Sequence, residues 1–198
     1  LTTADLGADP MTAFLRWHDD AAKAGLYEPN AMVASTVDDT TPSSRMVLLK
    51  GVDARGFVFY TNTLSRKGNE LAANPACALL FPWHPLERQV RIEGVAEPVS
   101  EAEADGYFVS RPRGSQLGAW ASPQSQVVPG REFLAERYQH TSDRFAGRDP
   151  VPRPPHWGGY RVRPHRIEFW QGRPGRMHDR IVFERVDAAT WSVDRLAP

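Results

Sequence analysis

Four short stretches gather most of the side chains able to do chemistry. The first is "EFWQGRPGRMHDR", from Glu168 to Arg180, with three arginines, a histidine, two aromatics and two glycines. On a strand, alternate residues share a face, so Arg176, His178 and Arg180 would point one way and Met177 and Asp179 the other. Cations ~6.6 Å apart along one face repel one another unless an anion or solvent lies between them. The run is therefore either a solvated face or one wall of an anion site. Trp170, Gly172 and Gly175 suit a flat anionic ligand that must come close to backbone.

The second stretch is "SSRMVLLK". Its alternation sets Arg45, Val47 and Leu49 against Met46, Leu48 and Lys50, an apolar strand with a cation at each end. It is either a floor for a ring with a charged tail or an edge strand guarded by charge. In "YTNTLSRKGNE", Ser65 has the character of a helix N-cap, which puts Arg66 and Lys67 in the first turn, where the macrodipole disfavours cations. An Arg-Lys pair beside free backbone N–H groups is what a phosphate site requires, although an exposed surface pair is the bland alternative. In "GYFVSRPRGSQLGAW", Tyr107, Arg111 and Ser115 are spaced by four and would share one helix face as a second phosphate cradle. Pro112 works against a continuous helix there. A Tyr packed on the core beside an Arg in a surface ion pair would read the same way.

Other machinery is missing. There is no G-x-S-x-G, H-E-x-x-H, EF-hand, Walker or G-x-G-x-x-G pattern, and the six histidines are scattered at 18, 84, 140, 156, 165 and 178. No metal site is expected. Several anion sites without acid–base or metal groups imply that a bound cofactor carries the chemistry.

The elements that must position these residues are mostly strands. Asp9, Pro10 and Gly25 delimit a helix over about 10–24, with Met11, Phe14, Leu15, Trp17, Ala21 and Ala22 as its apolar stripe. Strand-like runs follow at "AMVASTV", "SRMVLLK", "FVFYTN", "ACALLFPW" and "RQVRIEGVAEPV", and again at "GGYRVRPHRIEFWQG", "RMHDRIVFERV" and "TWSVDRL". Helices are expected after Ser65, after Ser100 (with Glu103 at capping-box spacing) and over about 130–145. Too few helices intervene for parallel winding. The expectation is a mainly β, α+β antiparallel barrel with peripheral helices: one domain over 1–198, with the barrel at about 31–100 and 157–198 and a helical segment at about 100–145.

Lys+Arg and Asp+Glu are balanced at 24 each, so no global field draws nucleic acid or anionic lipid, and anion recognition must be local. A barrel binding single-stranded nucleic acid would want a continuous basic groove. Cys77 is the only cysteine, which excludes an intrachain disulfide and C-x-x-C metal sites. With neither a ~20-residue apolar run nor a signal-peptide pattern, a cytoplasmic setting is expected.

Taken in order, "RMVLLK", "FYTNTLSRKG", "LLFPWHPLERQVRIEG", "SRPRGSQLGAWASPQS", "WGGYRV", "IEFWQG", "RMHDR" and "DRLAP" resemble the pyridoxine/pyridoxamine 5′-phosphate oxidase family from about Asp9 to Pro198. The resemblance implies a homodimer of Greek-key split β-barrels with FMN at the subunit interface. It places Arg45 and Lys67, with Arg66 nearby, on the FMN phosphate and ribityl chain. Met46, Val47 and Leu48 would lie against the isoalloxazine, with Tyr60, Thr61 and Gln89 completing that wall. Gln124, Ser125, Trp170 and Arg180 would come from the partner subunit. Lys50, also beside the cofactor, would hold the substrate phosphate with Tyr107, Arg111 and Ser115, and the catalytic Arg176 and His178 would lie over the pyridine ring.

The implied reaction oxidises pyridoxine or pyridoxamine 5′-phosphate, a small phosphorylated pyridine, to pyridoxal 5′-phosphate, with O₂ as acceptor. Family members often carry an N-terminal segment over the substrate, upstream of Leu1. Competing readings are an FMN oxidase of another reduced aromatic such as a phenazine precursor, a deazaflavin-dependent reductase, and a non-catalytic FMN-binding protein. Nucleic acid and membrane are not expected partners.

Overall fold

The protein is seen here as a computed structural model that describes residues 1–198. Nine strands form one antiparallel sheet: β1 (Ala31–Asp38), β2 (Thr41–Leu48), β3 (Gly51–Asp53), β4 (Gly56–Asn62), β5 (Ala76–Trp83), β6 (Arg88–Pro98), β7 (Trp157–Gln171), β8 (Asp179–Arg185) and β9 (Trp191–Arg195). Seven of them run in the order β2-β1-β5-β6-β7-β4-β3. Strands β5, β6 and β7 are consecutive neighbours, and β4 lies beside β7, which is a Greek-key arrangement. The sheet does not close, because β2 and β3 end the path without pairing with each other. Lys50 N–H donates to the Val58 carbonyl at 2.8 Å, which extends the β3–β4 hairpin back toward β2.

The 15-residue β7 makes the sheet fork. Its first half pairs with β4 from Phe57↔Val162 to Asn62↔Trp157, and its second half pairs with β8 from Arg166↔Glu184 to Gln171↔Asp179. β6 runs along both halves and slips register between Glu93 and Gly94, a bulge that lets so long a pair bend.

Six helices decorate the sheet: α1 (Thr3–Leu6), α2 (Pro10–Lys23), α3 (Arg66–Ala73), α4 (Glu101–Ser110), α5 (Arg113–Ala121) and α6 (Arg131–Arg144). Asp9 caps α2 by accepting from Met11 N and Thr12 N, and Pro10 fills its first position. Phe14 projects from α2 into the core, 4.9 Å from the Phe57 ring and 4.8 Å from Phe81. Leu15 and Ala22 face solvent, and Ala13 takes their place on the buried stripe. No helix is long and apolar enough to cross a membrane.

Two sequence expectations need correction. The strand anticipated from Arg176 begins only at Asp179, because Pro174–Arg176 is a 3₁₀ turn with Gly175 (φ +68°) and Arg176 (φ +62°) left-handed. Pro174 has no N–H for a ladder, and a left-handed pair cannot continue a strand. Arg176 and His178 therefore do not share a strand face with Arg180. The helix expected through Tyr107, Arg111 and Ser115 breaks into α4 and α5, with Arg111 extended at φ −75°, ψ 147°. That is the conformation Pro112 imposes on the residue before it.

Gly68, in the first turn of α3, is fixed by close approach. A Cβ there would lie 2.2 Å from the Thr63 carbonyl oxygen. Gly68→Ala should cost about 1–3 kcal/mol through overpacking, a fall in Tm of roughly 2–12 °C in scanning calorimetry. It should also displace Arg66 and Lys67.

Candidate functional site

The opening between β2 and β4, roofed by α4 and α5, is a cleft of about 650 Å³. Arg45, Met46, Val47 and Leu48 of β2 line it, with Lys50 just beyond. β4 supplies Tyr60, Thr61 and Asn62, and α3 supplies Lys67. Tyr107, Ser110, Arg111 and Pro112 come from the end of α4; Ser115, Gly118, Ala119 and Ser122 come from α5 and its C-cap, joined by Gln124 and Trp157. Arg45 and Lys50 stand five residues apart on nearly extended chain, ~16 Å at full extension. The cleft thus has two separate cationic ends.

At the first end, Ser65 caps α3, its side chain accepting from Gly68 N. Arg45 donates to the Ala34 carbonyl (3.2 Å), to Thr36 Oγ1, to Ser43 Oγ and to Glu70 Oε2 (3.0 Å). Glu70 is only 4% exposed and also accepts from Thr36, from Ser43 (2.7 and 2.9 Å) and from Arg66 Nε (2.8 Å). Burial alone would raise the Glu70 pKa, but the bonds from Thr36, Ser43, Arg66 and Arg45 outweigh it and hold the carboxyl at about 2. Lys67 Nζ donates to Thr61 Oγ1 and Gln124 Oε1, both at 2.9 Å, and to Ser65 Oγ at 3.3 Å. Burial and the nearby Arg45 bring the Lys67 ammonium down to about 8, against a smaller opposing pull from Glu70.

At the second end the situation is reversed. The side chains of Lys50, Tyr107, Arg111 and Ser115 make no hydrogen bond or ion pair within the chain. Arg111 Nη1 is buried and unpartnered, and burial lowers the guanidinium pKa. Arg111 lies 4.8 Å from the Trp157 ring centre and 5.4 Å from that of Phe108. Tyr60 and Tyr107 stack at 4.1 Å, with Trp157 parallel to Tyr60 at 5.3 Å. A group of donors kept unpaired in a cleft is costly unless an anion fills it.

Two mostly buried arginines fix α4, and with it Tyr107 and Arg111, to the sheet. Arg161 bridges Asp53 (2.9 Å) and Glu103 (2.7 Å), while Arg153 pairs with Glu101 and with Asp105 (2.6 Å). Glu103 also closes a capping box with Ser100.

Not every residue expected at the site lies in this cleft. Arg66 and Ser125 line a neighbouring recess that shares Gln124. Gln124 was assigned to a partner subunit, but its side chain sits in the cleft of its own chain, bonded to Thr61 and Lys67. Gln89 does not join the Tyr60–Thr61 wall. It lies in a cross-strand row with Trp170 and Arg180 at the other fork of the sheet. There Arg180 makes a two-point contact with the buried Glu168 (2.7 and 3.1 Å), and His178 stands 4.6 Å from the Trp170 ring. The Arg173 N–H donates to His178 Nδ1 at 3.1 Å, which leaves Nε2 to carry the proton of the neutral ring. Asp179 holds Arg173 and Arg195 and ties down the loop bearing the exposed Arg176. None of Gln89, Trp170, Arg176, His178 and Arg180 lines the cleft.

Sequence reasoning missed Trp157, Asn62, Ser110, Gly118, Ala119 and Ser122. The α5 residues carried a readable signal, since 115, 118, 119 and 122 follow helical spacing with small side chains. Trp157 carried none apart from its place beside the glycine pair.

An antiparallel, unclosed Greek-key sheet whose gap holds two separate cation sets defines a split-barrel protein. A family profile described as pyridoxamine 5′-phosphate oxidase matches residues 18–144, and one described as pyridoxine 5′-phosphate oxidase C-terminal dimerisation region matches residues 157–198. The chain belongs to the pyridoxamine 5′-phosphate oxidase family. It is 57% identical over 199 residues to the pyridoxine/pyridoxamine 5′-phosphate oxidase of Cupriavidus necator, covering all of this chain and 93% of that one. It is 60% identical over 191 residues to the protein of the same name from Rubrobacter xylanophilus, covering 96% and 87%. Among solved structures, PhzG of Burkholderia lata 383, in complex with tetrahydrophenazine-1-carboxylic acid, superposes with a TM-score of 0.91 at 33% identity, over 98% of this chain and 95% of that one. A pyridoxamine 5′-phosphate oxidase-related, FMN-binding protein of Nostoc punctiforme shares the fold, with a TM-score of 0.75 at 16% identity over 97% and 100%.

Proposed function

We propose that this chain is an FMN-dependent oxidase that converts pyridoxine or pyridoxamine 5′-phosphate to pyridoxal 5′-phosphate. The observation that carries the reading is the set Lys50, Tyr107, Arg111 and Ser115, four donors facing one cleft with no partner in the chain. A phosphate ester supplies the acceptors they lack. FMN fits the remainder of the cleft: Arg45 and Lys67 suit its phosphate, and Met46, Val47 and Leu48 offer an apolar strand to its ring. When bound, FMN supplies the hydride acceptor for the substrate C4′ carbon and passes the electron pair to O₂, giving H₂O₂.

The chain's own residues bind, orient and shield. The Lys50–Arg111 set anchors the substrate by its phosphate, and the Tyr60–Tyr107–Trp157 stack closes the wall beside it. Arg176 and His178 do not line the cleft of their own chain, so in this reading a second copy brings them to the substrate ring, together with its Trp170 and Arg180. The single domain therefore works as a homodimer, as the description of the C-terminal region suggests. A lone, buried cysteine suits the reducing cytoplasm.

The test is to purify the protein, look for flavin absorbance, and add pyridoxamine 5′-phosphate without oxygen. Bleaching that reverses on admitting air, with H₂O₂ and pyridoxal 5′-phosphate formed, is expected; flavin that stays oxidised overturns the reading. The likeness to PhzG motivates a second substrate arm with a reduced phenazine carboxylate, which should turn over with a far lower kcat/KM.

FMN affinity should also depend on pH. Lys67 titrates at about 8 in the unliganded cleft, and a phosphate beside it favours its charged form. Binding therefore takes up a proton above pH 8, and the FMN Kd should rise with pH through that range in a fluorescence titration.

A further inference from the structure

Glu70 has no place in the reaction just described, yet its side chain accepts five hydrogen bonds beside the cleft. It is a buried carboxylate that accepts from Arg45, Arg66, Thr36 and Ser43. Thr36 links it a second time to Arg45, which donates to the Thr36 hydroxyl while that hydroxyl donates to Glu70. Ser43 makes the same double link. The Arg45 guanidinium, whose long side chain would otherwise sample many rotamers, is thus held in one orientation from three directions.

Charge points the same way. Arg45, Arg66 and Lys67 surround the buried Glu70, with the exposed Asp38 at the rim of the recess that Arg66 and Glu70 share, so positive charge stays in excess. A phosphomonoester carries about −1.5 to −2 at pH 7, and such a group would offset that excess. Without Glu70 the cations would repel one another and splay outward.

Resting on the assignment of FMN to this cleft, we propose that Glu70 is a positioning residue for the cofactor phosphate: it fixes Arg45 and Arg66 and trims the local charge to match a terminal phosphomonoester. It touches neither FMN nor substrate, and it acts only through the arginines.

The test compares FMN with riboflavin, which lacks the phosphate, on the apoprotein of wild type, Glu70→Gln and Glu70→Asp. Glu70→Gln should weaken FMN binding by roughly tenfold or more and leave riboflavin binding unchanged, with Glu70→Asp recovering part of the loss. A structural defect would weaken both ligands together. The pH profile gives a second readout. Lys67 faces Arg45 on β2 and Arg66 and Glu70 on its own helix, with the uncharged Thr61 and Gln124 opposite. Loss of the carboxylate should therefore move the alkaline limb of FMN binding to lower pH. Should Glu70→Gln fold poorly, Ser43→Ala removes one of the two bridging hydroxyls and should give a smaller, FMN-only loss. FMN binding by Glu70→Gln that matches or exceeds wild type, or equal losses for FMN and riboflavin, overturns the proposal. A wild type that binds riboflavin as tightly as FMN overturns the placement of the phosphate itself, and the role of Glu70 with it.

Discussion

Arg111→Ala should raise KM for pyridoxamine 5′-phosphate by roughly 10²–10³-fold, the usual scale for removing one partner of a buried charge pair, with kcat and FMN content nearly unchanged. The reason lies in what Arg111 does without a ligand. Its Nη1 is buried and bonded to nothing, and its guanidinium rests on the Trp157 and Phe108 rings. Losing those cation–π contacts costs about 0.5–2 kcal/mol, while relieving the unpaired donor returns about 1–3 kcal/mol. The apoprotein Tm should therefore scarcely move. A large kinetic effect beside an unaltered melting curve marks a residue kept for its ligand. Steady-state kinetics and scanning calorimetry on the same preparation check both halves, and a KM within twofold of wild type would remove Arg111 from the substrate site.

Arg176→Ala should act on the other kinetic constant, lowering kcat by roughly 10²–10³-fold, as loss of a positioned donor at a reacting centre does, with FMN still bound. Arg176 is exposed at the apex of a loop and holds φ +62°, a strained region for a residue with a side chain. Nothing in its own chain explains that. A cleft in one copy and a loop from another would, and the two variants, each nearly inactive when assayed at a substrate concentration near the wild-type KM, can show it together. When Arg111→Ala and Arg176→Ala proteins are unfolded, mixed in equal amounts and refolded, half the dimers should be hybrids. Each hybrid holds one site with both defects and one with neither, so the mixture should regain about a quarter of wild-type activity. If cleft and loop belonged to a single chain, mixing would restore nothing.

The sheet was legible because β1, β5 and β6 alternate, β4 is a β-branched and aromatic run, and the turns carry Asp, Gly and Pro; the caps Asp9, Ser65 and Ser100 stand where their side-chain chemistry put them. The cleft half of the site was legible for a similar reason, since cations placed against local stability, such as Arg66 and Lys67 in a first helical turn, advertise a ligand. The errors have local causes. Strand alternation was extended back through Pro174 and Gly175, where the backbone is not a strand. Helical spacing joined Tyr107 to Ser115 across Pro112, yet all three residues still meet in the cleft because the break turns α5 over the same opening. Gln89 was set beside Tyr60 although its neighbours in the sheet are Trp170 and, beyond it, Arg180. Such pairing depends on which strands become neighbours, which no local spacing encodes. Glu70 was invisible for the opposite reason: in sequence it is one more helical glutamate, and only burial reveals what it holds.

The long β7 strand has a consequence for the working unit. Trp157 at its start borders the cleft and Trp170 near its end borders the loop cluster, up to ~43 Å of extended chain away. A strand hydrogen-bonded on both sides is a stiff strut, so one subunit cannot fold its loop back onto its own pocket. On the proposed shared site, a second copy would supply what the first cannot reach, and turnover per chain would fall on dilution as dimers separate.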